Sequence, residues 1–144
     1  MLDNYQDLID ELLSAPKLLR DAIAAHGGEA PPEVLALIVQ LTNRDDVVLR
    51  RLNDLRKATS PHVHPLPALD ELPAPDGDIA LDASIAAFDT NRGELVSLLM
   101  NLTLKDWERT ATQDTGGTTS LADEVELHVE FDEEVRARIE STLG

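Results

Sequence analysis

The sequence predicts an all-α protein, an antiparallel four-helix bundle with a long proline-rich connection between its second and third helices. Three observations carry this. Apolar residues recur at three- and four-residue spacing in four long stretches. Capping and proline or glycine signals bound those stretches. No strand-like alternation competes, and no repeat at solenoid spacing appears. The 144 residues suit a single domain, 1–144, of the size at which a helical bundle needs no disulfide or metal to fold.

The first helix is expected over Asp3–Ala25, with Leu8, Leu12, Leu19 and Ile23 inward. Asp3 and Gln6 read as a capping box, and His26-Gly27-Gly28 as the stop. Pro16 has no N–H to give to the preceding turn, so a kink or break is expected near Ser14. Pro31-Pro32 opens a second helix running to about Lys57. Its stripe is Val34, Ile38, Leu41, Asp45, Val48, Leu49 and Leu52. Residues 58–80 hold Pro61, Pro65, Pro67, Pro73 and Pro75, and should be extended, crossing a bundle end rather than making a tight hairpin. The third helix is expected over Asp82–Leu102, with Ile85, Phe88, Arg92, Leu95, Leu99 and Leu102 inward. Thr103 with Asp106 opens a short turn through Trp107, and polar Thr110–Thr119, with Gly116-Gly117, reads as a loop or small turn. Ser120 with Asp123 caps the last helix, Leu121–Leu143.

Composition narrows the function. The 28 acidic residues against 12 basic ones give a net charge of −16, which argues against binding nucleic-acid backbones or anionic membranes. Solubility is the simpler reading of that charge; an acidic docking face is the other. The chain has no cysteine, which excludes thiolate chemistry and cysteine zinc sites. Four aromatics, Tyr5, Phe88, Trp107 and Phe131, are too few for stacking platforms. No basic run followed by an apolar one opens the chain, and its longest apolar stretch is Val34–Val39. A soluble cytoplasmic protein is expected.

Three of the oily stripes carry a charge at their middle: Asp45, Arg92 and Asp132, with His128 one turn before Asp132. At about 100° per residue, His128 and Asp132 fall within about 20° of the centre of the last helix's stripe. A core tolerates such groups only when they meet partners. Arg92 bridging two carboxylates, with His128 completing the layer, is the favoured reading, because a guanidinium satisfies two carboxylates with planar hydrogen bonds. A wet cleft at this level and a catalytic or metal centre are the alternatives. Arg92 would repel a cation in the same layer. His128 is expected to bond to Asp132, its neighbour one turn on.

The second half, Leu81–Leu143, resembles the DinB-like (damage-inducible) bundle superfamily, and the helix order extends the likeness to most of the chain. The residues that carry it are Ile85-Ala86-Ala87-Phe88, Leu95–Leu102, Thr103-Leu104-Lys105-Asp106-Trp107 and Ser120-Leu121. Members of that family commonly hold a divalent metal with one histidine on the second helix and a His-Asp-x-x-His run on the last. Several are thought to be metal-dependent transferases acting with low-molecular-weight thiols, and members often pair as homodimers. In this chain Gln40, Phe131 and Val135 stand at the three histidine positions, and only Asp132 of the run matches. Phenylalanine and valine cannot ligate, and an amide is a poor ligand for zinc or nickel. The resemblance therefore implies the fold and a vacated metal site, not the activity.

The remaining candidates are read structurally. His62-x-His64 lacks an evident third ligand, His26 caps a helix end, and Gly116-Gly117 is a turn. Trp107 seals the bundle end or forms the rim of a pocket. The expectation is a protein without metal or other cofactor, not an enzyme, that binds a small molecule or a protein partner and pairs as a homodimer. The alternatives are a metal-dependent transferase or hydrolase with a rearranged zinc or nickel site around His128, and an acidic interaction module.

Overall fold

The structure, a computed structural model, describes residues 2–58, 61–73, 75 and 79–144, with side chains from residue 5 onward. Helix α1 spans Leu2–Ala25 and passes through Pro16 without a break. No break in the helix appears near Ser14. Pro16 cannot donate to the Leu12 carbonyl, but the Arg92 guanidinium takes over that acceptor with a bond of 2.8 Å. The helix also starts ahead of Asp3, whose side chain lies outside the described residues; the Gln6 amide donates to Asp10 instead of closing a cap. It stops where the amides of His26 and Gly28 both reach the Ile23 carbonyl, with Gly27 and Gly28 at positive φ.

Helix α2 spans Pro32–Lys57, with Glu33 in its first turn and Arg56 and Lys57 in its last, signs that suit the helix dipole. Helix α3 spans Leu81–Met100, ending two residues before the expected Leu102. The short α4, Leu104–Trp107, and the long α5, Leu121–Leu143, each open on a complete capping box, Thr103 with Asp106 and Ser120 with Asp123.

The Thr110–Thr119 segment is not the expected loop. It forms strands β2 (Thr110–Gln113) and β3 (Thr118–Ser120), paired antiparallel, with Gly116 at φ 91° in the turn between them. The proline-rich connection adds β1 (His62–Val63), parallel to β2 with His62 opposite Thr112. These strands bury only Val63, Ala111 and Thr119, so the two-residue alternation is too short and too polar to show as a pattern. The threonine-rich composition was the usable signal.

The direction of each helix follows from the core, which falls into two clusters. One holds Leu12, Val48, Leu52, Leu55, Leu95, Leu99, Leu121 and Val125. The other holds Leu19, Ile23, Val34, Ile38, Phe88, Val135 and Ile139. Thus α1 and α5 run from the first cluster to the second, and α2 and α3 run back. Each of α1 and α2 packs against both α3 and α5. Neighbours α1/α3 and α2/α5 are therefore antiparallel, while α2/α3 and α1/α5 are parallel. The long connection is what lets α2 and α3 lie side by side in the same direction.

Candidate functional site

The four charged or polar residues of the stripes meet between the two apolar clusters. Arg92 donates Nε and Nη2 to the two oxygens of Asp45 at 2.9 and 3.0 Å, and Nη2 to Asp132 at 2.7 Å. With the Leu12 carbonyl, this uses four of its five N–H groups and draws in α1. Asp45 and His128 are 0% exposed, Arg92 and Asp132 1%. Among the described residues no buried side-chain nitrogen or oxygen lacks a partner. The layer is closed to solvent, and each of its buried side-chain polar atoms has a partner.

His128 does not bond to Asp132. Its Nε2 stands 2.7 Å from Asp45, and Asp132 takes Arg136 Nε at 3.1 Å on its second oxygen. The reason is Arg44, which sequence reading missed. Arg44 Nη1 lies 2.6 Å from His128 Nδ1. A guanidinium can only donate, so Nδ1 is the bare nitrogen and the proton sits on Nε2, aimed at Asp45. Burial, outweighing Asp45, lowers the imidazole below its usual range and keeps it neutral. Burial alone would raise Asp45, but Arg92 and His128 together hold it below the usual carboxylate range.

Arg44 and Glu124 are both buried, at 5% and 3% exposure. Their spacing did contain a signal. Arg44 follows Leu41 by three and precedes Val48 by four, and Glu124 stands in the same relation to Leu121 and His128. Arg44 donates Nε to the Pro67 carbonyl at 2.9 Å and lays its guanidinium 3.9 Å from the centre of the Phe131 ring. Burial pushes its pKa down to about 10. Glu124 accepts from Arg51 at 2.6 Å, yet burial still raises it above the ordinary glutamate value.

One turn from the layer, Gln40, Phe131 and Val135 line a common cleft of about 560 Å³ between α2, α5 and the Leu69–Glu71 turn of the connection. Leu37 and Leu69 complete its apolar wall, and Asp70, Glu134 and Arg138 stand at its edge. Gln40 donates Nε2 to the carbonyls of Leu69 and Leu72, both at 3.2 Å, so its amide ties down the connection. A divalent metal does not fit here. Phe131 and Val135 offer no donor atom, and the Gln40 amide oxygen is by itself a poor ligand for zinc or nickel. Among the described residues no group of three His, Asp or Glu side chains could hold a metal ion.

The other candidates lie apart. His62 and His64 both bond to Asp114, one to each oxygen, which fastens β1 to the turn after β2 and lowers the Asp114 pKa. His26 is exposed beyond α1. Trp107 is 2% exposed and stacks on Tyr5 at 4.6 Å. It lines a separate groove of about 140 Å³ beside α1 and α3, not the Gln40 cleft.

The fold is thus a DinB-like four-helix bundle, with a cleft lined by Gln40, Phe131 and Val135. Comparison with protein-family models and with curated proteins gives no match. Among solved structures, the chain is similar to YfiT from Bacillus subtilis, described as "a probable metal-dependent hydrolase with an unusual four-helix bundle topology". The two share 17% identity at a TM-score of 0.74, over 99% of this chain and 87% of the other. That likeness is one of fold. Among the described residues no helix is long and apolar enough to cross a membrane.

Proposed function

We propose that the protein acts by binding a small, mainly apolar molecule in the Gln40–Phe131–Val135 cleft, without a metal and without chemistry on it. The observation that carries this is the open volume at the vacated positions. A surface cleft of about 560 Å³ is within the size range of small-molecule sites. Arg44 keeps it open: stacked on Phe131, it holds that ring as a wall and stops it from turning in as a plug. The polar edge of Asp70, Glu134 and Arg138 would orient one end of the molecule.

The test is a screen of small apolar fragments by ligand-detected NMR. Wild type should bind a subset, and Ala68→Trp, an exposed change at the cleft edge, should abolish binding without lowering Tm. Binding that survives both Ala68→Trp and the deeper Val135→Phe would place the ligand elsewhere and overturn the reading. So would stoichiometric zinc or nickel in protein purified without an affinity tag, lost on His128→Ala. That result would favour a metal-dependent hydrolase or transferase with a rearranged site.

A further inference from the structure

A second pocket, of about 290 Å³, lies on the other side of Arg44 from the Phe131 cleft. The connection forms one wall with Val63, Pro65 and Leu66, α5 another with Leu127, and the β2–β3 turn its mouth. Its distinctive feature is a pair of opposite charges on nearly buried residues, Arg44 from α2 and Glu124 from α5.

Each of these residues has one polar atom left over. Arg44 uses Nε on Pro67 and Nη1 on His128, and Nη2 has no protein partner among the described residues. Glu124 uses Oε1 on Arg51, and Oε2 has none among the described residues. No side-chain nitrogen or oxygen of the described residues that is closed off from solvent lacks a partner, so both atoms face open space, and the pocket is the space both residues line. They form no ion pair with each other, although their charges act on one another. Arg51 also donates to the His64 carbonyl, which fixes Glu124 from behind.

We infer that this pocket is a binding site for a small zwitterion of the α-amino-acid class. The ligand carboxylate meets Arg44 Nη2, its ammonium meets Glu124 Oε2, and an apolar side chain lies against Val63, Leu66 and Leu127. A lone carboxylate would meet Glu124 in a chain already carrying −16, and a lone amine would face Arg44. Only a ligand with both charges satisfies both atoms. Burial disfavours the charged form of each residue, so each is relieved by a counter-charge. Both are held in place before the ligand arrives, which lowers the cost of ordering. This pocket shares no lining residue with the Gln40 cleft, which Arg44 touches only through the Phe131 ring.

The test titrates the protein with L-leucine, 4-methylpentanoate and 3-methylbutylamine while amide chemical shifts are followed. Leucine should bind, with shifts centred on Leu66, Thr115 and Leu127, and each half-molecule should bind at least about tenfold more weakly. Glu124→Gln should weaken leucine about tenfold and strengthen 4-methylpentanoate, whose carboxylate then no longer meets a like charge. Thr115→Trp, an exposed change at the mouth, should block leucine whether or not the Glu124 variant folds. The inference is overturned by any of four results: no leucine binding at millimolar concentration, half-molecules that bind as well as leucine, unchanged leucine affinity in Thr115→Trp, or shifts confined to the Gln40 cleft.

Discussion

Two turns of α5 make opposite use of the same inward face. At His128 and Asp132 the face is polar, and every buried hydrogen-bonding atom is matched. At Phe131 and Val135 it is apolar and borders empty volume. The layer has no buried side-chain nitrogen or oxygen left without a partner to offer a substrate. Here Asp45, Arg92, His128 and Asp132 tie the helices together, and the cleft beside Phe131 and Val135 is left open.

The contrast is broken most directly at Arg92. Arg92→Ala leaves Asp45, Asp132 and the Leu12 carbonyl without their shared donor, and should cost about 3–5 kcal/mol in urea unfolding. A loss under about 1 kcal/mol would show that water enters the layer and that it is not closed. Pro16→Ala comes next, in the other direction. Removing a proline from a helix interior ordinarily recovers about 3 kcal/mol. Here the N–H gained at position 16 competes with Arg92 for the Leu12 carbonyl, so the gain should fall clearly short of that. A full gain would mean that Arg92 needs nothing from α1.

Acidification probes the protonation of the layer. His128 is lowered in the folded state, so below its ordinary 6.5 the unfolded chain binds a proton that the native ring refuses. Stability is therefore present above pH 6.5 and declines as pH falls through that value. Asp45, also lowered, adds a further loss as pH drops through 3.8 and below. Glu124 is raised and works in the opposite sense above its ordinary 4.5, so the cleanest window is pH 7.5 to 6. His128→Gln should flatten the slope of the urea midpoint there; an unchanged slope would assign it to other groups. The smallest effect is expected at the cleft. Gln40→Ala removes two hydrogen bonds at its partly exposed edge and should cost about 1 kcal/mol. A much larger loss would make the cleft wall part of the core.

Much of the bundle was legible because its signals are local. The helix periods, the Thr103 and Ser120 capping boxes and the inward charges at Asp45, Arg92 and Asp132 are all set by residues within a turn or two of each other. Three of the misses share one cause, a partner distant in sequence. Pro16 does not break α1 because residue 92 relieves it. His128 chooses Asp45 over Asp132 because Arg44 occupies its other nitrogen. Strand β1 exists because residues 62–63 pair with residues 112–113, fifty positions on.

By itself, then, the sequence determined four amphipathic helices, a long connection, a charged level at mid-bundle and the absence of strong donor atoms at Gln40, Phe131 and Val135. Periodicity and donor chemistry are properties of residue type and spacing, and need no coordinates. Only the tertiary structure decided which helices lie parallel, which proton His128 carries, and that Gln40, Phe131 and Val135 enclose a cleft rather than filling it. Those outcomes depend on how side chains from separate helices divide a shared space, and no stretch of chain holds that information alone.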